Sequence, residues 1–141
     1  MAQTKGKYPD TFYRVSLKAI IRNSKGEVLL VQEGDDAWTF PGGGAEHGES
    51  DIDTLKRELR EEVLFEGDYT SHPIGIEPKF LPKLEAWLLW IVYEVICDDG
   101  YTYGISPDTN DVGFKDPHTF KDSTNDWERL IYKWAVEKSP H

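Results

Sequence analysis

Three glutamates, Glu58, Glu61 and Glu62, follow one another at i, i+3 and i+4, a spacing that places their carboxylates on one face of a helix. Hard oxygen ligands on adjacent turns suit Mg²⁺, which takes one or two protein carboxylates and fills its other positions with water and phosphate oxygens. Without a metal, three such anions would repel one another. The same run also fits a solvated helix face in which Arg57 and Glu61 form an ordinary i, i+4 pair. The spacing by itself leaves both interpretations open.

A helix carrying these glutamates is predicted to begin at about Ser50. The Ser50 side chain can accept a hydrogen bond from the N–H of Asp53, which can reach back to form a capping box. Apolar residues then recur at three- and four-residue steps beside the glutamates and form one stripe. This stripe consists of Ile52, Leu55, Leu59 and Val63. The helix can therefore bury one side and present its carboxylates on another.

Three consecutive glycines, Gly42, Gly43 and Gly44, precede this helix. Because glycine has no Cβ, such a loop lets the backbone approach a bound group closely, and Pro41 stiffens its entry. A glycine loop followed by a carboxylate-bearing helix contains the parts of a divalent-metal and phosphate site.

The pattern of this region resembles the Nudix box of the Nudix hydrolase family. Five residues separate Gly43 from Glu49, and seven more precede Arg57-Glu58-Leu59-x-Glu61-Glu62. The resemblance implies that the three glutamates hold Mg²⁺, for which Mn²⁺ can substitute, and that the Gly42 carbonyl joins the metal shell. It also implies that Gly43, Glu49 and Arg57 orient these ligands, the last two by tying the loop to the helix.

The chain departs from the family pattern at Leu64, where the family has a glycine. That glycine normally takes the positive φ of a helix C′ position. We expect Gly67 to assume this role, so that the helix runs past Val63.

A fourth acidic residue, Asp111, stands directly before Val112-Gly113-Phe114, a segment that resembles the late strand of the family. Several family members place a carboxylate there as an extra ligand or as the base, so the resemblance assigns Asp111 to the site. An Asp in a loop rich in Pro, Gly and Asp also commonly serves turn chemistry. Which acidic residue is the general base stays open.

Two segments near the start have strand patterns. Phe12 to Arg22 alternates apolar and polar residues, which predicts a half-buried strand, and Glu27 to Gln32 is predicted to return as the second arm of a hairpin. The residues from Gln32 to Asp36 are mostly acidic, whereas many family members are basic there. A phosphate clamp from this arm is therefore not expected.

Three later segments complete the predicted fold. Tyr69 to Ile76 is a short strand candidate, and Leu84 to Ile96 is apolar on both alternating faces, as in a central strand covered on both sides. Ser123 opens a second capping box, so an amphipathic helix is predicted from there to about Glu137. The order indicates an α/β fold, an α/β/α sandwich with a mixed β-sheet, which is also the Nudix fold.

Length and composition limit the possibilities further. With 141 residues, 38% of them hydrophobic, residues 1–141 are expected to form a single domain with a core of about 12–137. The net charge of −10 argues against a nucleic-acid surface. No segment is apolar for long enough to indicate a signal peptide or a membrane span, so a cytoplasmic protein is expected. Monomer and homodimer both remain open, and Cys97 is expected in the core.

The resemblance implies a Mg²⁺-dependent hydrolase that cleaves a diphosphate bond in a nucleoside diphosphate linked to another group. The expected partner is thus a small nucleoside diphosphate derivative. Aromatic residues before and after the box are candidates either for base stacking or for core and loop packing, and Glu85 is either a substrate contact at a strand end or a solvated carboxylate. The aromatic candidates are Trp38, Phe40, Phe80, Tyr101 and Tyr103. The alternatives are a nucleotide-sensing or protein-binding module without turnover, and an acidic docking protein.

Overall fold

A computed structural model describes residues 12–33 and 37–139. Seven strands and two α-helices follow one another along this part of the chain. They are β1 Tyr13–Ile21, β2 Val28–Glu33, β3 Ala37–Thr39, β4 Gly42–Gly44, α1 Asp51–Val63, β5 Tyr69–Leu81, β6 Ala86–Cys97, β7 Asp111–Lys115 and α2 Asp126–Tyr132. Short 3₁₀-helices span Pro82–Leu84 and Pro117–Phe120, and α2 continues as a π-helical turn, Lys133–Glu137. No helix of the described residues is long and apolar enough to cross a membrane.

The strands form two sheets with a helix on each side. One sheet has the order β4-β1-β6-β5 and is mixed, because β1 and β6 are parallel while the outer strands are antiparallel. The other has the order β3-β2-β7 and is antiparallel. The buried face of α1 packs into one core cluster and that of α2 into the other. The predicted α/β/α sandwich with a mixed sheet is confirmed.

Strand β6 is the central strand that its sequence predicts. It lies between β1 and β5, and its middle is buried on both faces: Tyr93 packs with the α1 cluster and Trp90 with the α2 cluster. The predicted strand beginning at Tyr69 pairs with it and is longer than expected, since it continues to Leu81.

The predicted hairpin near the start is wrong in its pairing. Although the turn before β2 reverses the chain, β1 and β2 belong to different sheets, and a single bridge joins Arg22, just past the end of β1, to Val28 at the start of β2. Strand β1 is also buried on both faces rather than on one, because Ile20 and the alkyl stem of Lys18 pack on the α2 side.

Helix α1 begins as predicted, with the Ser50 side chain accepting a hydrogen bond from the N–H of Asp53. Three residues of the predicted apolar stripe, Leu55, Leu59 and Val63, are buried. The fourth, Ile52, is not, because 63% of its surface is exposed. The predicted extension past Val63 is wrong: Leu64 itself adopts φ 51 and ψ 36, and its N–H donates to the carbonyl of Leu59. This left-handed residue ends the helix where the family has glycine.

The N-cap of the last helix lies two residues later than predicted, at Asn125 instead of Ser123. The Asn125 side chain accepts hydrogen bonds from the N–H groups of Trp127 and Glu128, whereas the Ser123 hydroxyl accepts from Asn125 and donates to Glu128. At its other end the Arg22 guanidinium donates to the carbonyl of Ala135, 2.8 Å away, within the π-helical turn.

Candidate active site

Strand β4 is held between β1 and α1. The Gly42 N–H donates to Glu62 Oε1 over 2.8 Å, which fixes the strand to the helix. Gly42 has φ 143, and a Cβ there would overlap the carbonyl of Leu17 on β1. A Cβ on Gly43 would overlap the Glu58 carboxylate. Glycine is therefore required at Gly42 for β4 to pack against β1, and at Gly43 it leaves room for the Glu58 carboxylate.

Arg57 joins the loop to the helix through several hydrogen bonds. Its guanidinium binds Glu49 at two points, with Nε 2.7 Å from Oε2 and Nη2 2.8 Å from Oε1. Nη2 also donates to the carbonyl of Gly44, 2.9 Å away. Nη1 lies 2.7 Å from Glu58 Oε1 and 3.4 Å from Glu61 Oε2. One cation thus bridges three carboxylates, Glu49, Glu58 and Glu61, and offsets part of their negative charge.

The Glu49 carboxylate is held firmly in its ionised form. The bond from Arg57, followed by that from the N–H of Glu46, lowers the pKa of Glu49 from 4.5 to about 2. The same pairing with Glu49 raises the pKa of Arg57 above its ordinary value. The Thr54 hydroxyl also donates to Glu49, so the loop acid is bonded to both the start and the middle of α1.

The oxygen ligands of this region fit a cation that keeps part of its water shell. Within the described residues, no group of three or more His, Cys, Asp and Glu side chains is arranged to enclose a metal by itself. Two of the three glycines of β4 nevertheless lie against carboxylates: Gly42 against Glu62 and Gly43 against Glu58. Two neighbouring carboxylates are ligands that suit Mg²⁺ or Mn²⁺ and poorly suit a soft metal.

Glu61 and Asp111 are more open to solvent than these two glutamates. The Glu61 side chain is 58% exposed, against 16% for Glu58. Asp111 begins β7, stands opposite Gln32 on β2, and accepts a hydrogen bond from the N–H of Val112. Its role in the site stays a prediction.

The aromatic candidates lie in different surroundings. Phe40 is fully buried in the α2 cluster, so its proposed role in base stacking is wrong. Tyr101 stacks on Phe65 in the α1 cluster, with ring centroids 5.5 Å apart, and the more exposed Tyr103 stacks on Tyr101. Phe40 therefore serves packing, whereas substrate contacts by Tyr101 and Tyr103 stay predictions.

Three further candidates lie on or beside the strands. Trp38 is half-buried on β3, with the amine of Lys115 over its ring at 4.4 Å. Phe80 packs edge-on against Trp87 at the end of β5. Glu85 is exposed in a left-handed turn, with φ 48, between β5 and β6.

A pocket of about 210 Å³ beside β4 contains residues that the sequence did not assign to a site. Trp38, Trp90 and Trp127 line it together with Lys18, whose amine donates to the carbonyl of Phe40. Lys18 pairs with Gly42 across β1 and β4, so the pocket adjoins the glycine strand. Trp90 and Trp127 fit core patterns in the sequence, and only the tertiary structure brings them together.

The fold and the site define an α/β/α protein in which a glycine strand is held against a glutamate-bearing helix. The NUDIX domain family model matches residues 12–101, and the chain belongs to this family. The MutT protein from Methanosarcina mazei Go1 is similar in structure, with a TM-score of 0.71 at 22% identity over 91% of this chain and 96% of that one. For the MutT NUDIX hydrolase from Burkholderia pseudomallei the TM-score is 0.72 at 18% identity, over 92% and 99%.

The curated relatives match a shorter stretch of this chain than the solved structures do. The RNA pyrophosphohydrolase of Psychrobacter sp. (strain PRwf-1) is 33% identical over 84 residues, which are 59% of this chain and 42% of that protein. The RNA pyrophosphohydrolase of Halorhodospira halophila is 36% identical over 84 residues, 59% of this chain and 40% of that protein. The match thus covers about two fifths of the length of these relatives.

Proposed function

We propose that this protein hydrolyses a diphosphate bond in a nucleoside diphosphate linked to another group, with Mg²⁺ as cofactor and Mn²⁺ as a substitute. The observation that carries the proposal is that Glu62 and Glu58 lie against adjacent glycines of β4, Gly42 and Gly43. Membership of the NUDIX domain family and the name of the curated relatives support the same bond type.

Glu58, Glu61 and Glu62, with the carbonyl of Gly42, would hold the cation. When bound, it supplies positive charge to the bridging phosphates and makes a water molecule more acidic. The protein's own part is to keep the carboxylates in place, through Arg57 and the Gly42 N–H, and to leave a carboxylate that takes the water's proton. Glu61 and Asp111 are the exposed carboxylates proposed for that proton transfer.

The glycine strand supplies the surface for the substrate. Gly43 and Gly44 let a diphosphate approach the backbone without meeting a Cβ. Phosphate charge is acceptable in this chain of net charge −10 because the cation offsets it locally.

The test is a substrate panel assayed with Mg²⁺, with Mn²⁺ and after metal removal. It includes nucleoside triphosphates, nucleoside diphosphate sugars, dinucleoside polyphosphates, dinucleotide cofactors and 5′-triphosphorylated oligonucleotides. We expect metal-dependent release of phosphate or diphosphate products from at least one class. Turnover that persists in EDTA with metal-stripped protein would contradict the proposed metal chemistry, and no turnover of any class would contradict the hydrolase.

A further inference from the structure

Helix α1 covers only one half of a face of the four-stranded sheet. Under the helix this face is buried in the core, where it carries Ile21 and Val95. Because alternate residues of a strand share a face, the same side of β1, β6 and β5 continues beyond the helix toward the start of β1. We call this uncovered half the open face. It consists of two rows across the three strands, an outer row of Tyr13, Trp87 and Phe80 and a middle row of Val15, Leu89 and Pro78.

The open face is apolar and rich in aromatic rings. The rings of Tyr13 and Phe80 lie 6.1 and 5.5 Å from that of Trp87, so the outer row is continuous across three strands. Between 42% and 44% of each of these side chains is exposed, and Ile76, which follows on β5 toward the helix, is 58% exposed. These four large side chains together expose roughly 400 Å² of apolar surface. Patches of this size on a monomer are often binding sites.

The absence of charge on the open face indicates which partner fits it. Its six side chains and Ile76 are all uncharged at neutral pH, although 30% of the chain consists of charged residues and the net charge is −10. A strongly charged partner would find no ion pair on this surface. A second copy of the chain presents the same uncharged surface, and pairing the two faces leaves the acidic groups of both copies in solvent.

The edge of the same sheet is poorly suited to joining two copies. Strand β5 is an outer strand of 13 residues, and such an edge can pair with the same strand of another chain. However, Pro73 and Pro78 lack N–H groups, and a proline within a sheet turns this gap toward the open edge. Two copies are therefore expected to meet through the open face and not edge to edge.

Helix α1 determines how a second copy can approach. It forms a layer about 10 Å thick on the same side of the sheet, which equals the usual distance between packed sheets. If the strands of both copies ran in the same direction, the two helices would occupy the same space. The two-fold axis must therefore run across the strands, so that α1 of each copy lies beyond the strand ends of the other. With the middle row on this axis, β5 faces β5, and Ile76 of one copy lies opposite Phe80 of the other.

We propose that the open face joins two copies of this chain in a reversible two-fold dimer, in which the outer aromatic row of each copy packs on the other beside Ile76. The two faces and the middle row between them bury about 1,000 Å², which is at the low end for a specific interface. The dissociation constant is therefore expected in the micromolar range. This proposal goes beyond the proposed function and does not depend on it, because the open face contains none of the glutamates of α1 or glycines of β4.

Sedimentation velocity of the full chain from about 1 μM to about 1 mM tests the dimer. We expect the native chain to change from monomer to dimer over this range. Ile76→Glu places a carboxylate in the interface and should raise the dissociation constant by at least about tenfold. Ile105→Glu is the matched control, since it makes the same change in a loop at a residue that is 56% exposed, and it should leave the constant within about twofold. Urea denaturation checks that both variants are folded.

A charge-pairing experiment tests the arrangement of the two copies. Phe80→Lys should also weaken the dimer when it is the only chain present. In an equimolar mixture with Ile76→Glu, the new amine of one copy lies opposite the new carboxylate of the other. We expect this mixture to form a heterodimer whose dissociation constant is at least about tenfold lower than that of either variant alone. A mixture of Phe80→Lys with Ile105→Glu has the same charges and should show no such gain.

Three results would overturn the proposal. One is a native chain that stays monomeric over the whole concentration range, whether the open face then binds residues 1–11 of the same chain, a different protein or nothing. Another is a dimer that Ile76→Glu leaves unchanged, because the copies would then join through a different surface. The third is a mixture of the two charge variants that shows no gain, since Ile76 and Phe80 would then not lie opposite each other.

Discussion

The carboxylate of Glu58 occupies the space that a methyl group on Gly43 would need. Gly43→Ala should therefore displace the end of a flexible side chain and leave the backbone in place. We expect turnover to fall by at least about tenfold because a proposed ligand moves, while the free energy of unfolding changes by less than about 1 kcal/mol. Steady-state kinetics and urea denaturation measure the two effects.

Gly113→Ala is the matched control for that change. Gly113 lies on β7 without a positive φ, and a Cβ there would meet nothing within 4 Å. If both alanine variants retain full turnover, the contact between Gly43 and Glu58 has no part in catalysis.

Removal of a carboxylate charge at the glycine strand should abolish most activity. In Glu58→Gln and Glu62→Gln we expect kcat to fall on the order of a hundredfold or more, since each loses charge stabilisation of several kcal/mol in the transition state. Glu66→Gln is the control, because Glu66 lies beyond the end of α1, is exposed, and forms an ion pair with Arg60 of that helix. Equal activity of the three variants on the substrate found by the panel would refute the ligand assignment.

The ion pair between Glu49 and Arg57 predicts a pH dependence of stability at the acid end. The pKa of Glu49 is lowered from 4.5 to about 2, so the pair contributes its full stability above pH 4.5 and loses it as the pH falls toward 2. The free energy of unfolding of the native protein should thus approach that of Glu49→Gln over this range. Paired urea titrations at several pH values test this, and a difference that stays constant from pH 6 to pH 2 would count against the shifted pKa.

The left-handed conformation of Leu64 predicts that a substitution stabilises the protein. A non-glycine residue in this region costs about 1–2 kcal/mol, so Leu64→Gly should raise the free energy of unfolding by about 1 kcal/mol after the loss of its half-exposed side chain. Leu64→Ala keeps the strain and loses the side chain, and should be less stable than the native protein. Urea denaturation with an unchanged m-value measures both, and a less stable glycine variant would mean that packing of Leu64 near Gly104 outweighs the strain.

Local sequence signals predicted the parts of the site that depend on neighbouring residues. The Ser50 cap and the three- and four-residue spacing place α1 correctly, because both act within one or two helical turns. The apolar faces of β6 likewise indicate a central strand. Turn residues show that the chain reverses before β2, but they contain no information on which sheet each strand joins.

Long-range contacts account for what the sequence did not reveal. Lys18 looks like a surface residue because it is charged, yet it is buried: its amine donates to the carbonyl of Phe40, between β3 and β4, and lies over the ring of Trp90 on β6. Phe40 looks like an exposed loop aromatic and is fully buried. The end of α1 at Leu64 was also misjudged, because the carbonyl of Val63 is satisfied by Gly104, a residue far along the chain.

The parallel pairing of β1 with β6 has a consequence for synthesis on the ribosome. Ile21 pairs with Val95, so β1 has no neighbour on that side until β6 has left the exit tunnel. Bringing such distant segments together costs loop-closure entropy before any contact repays it, which slows folding in proteins of high contact order. Until then the nascent chain exposes an unpaired strand edge, and because β6 ends at Cys97, this aggregation-prone period lasts well beyond the synthesis of β1 itself.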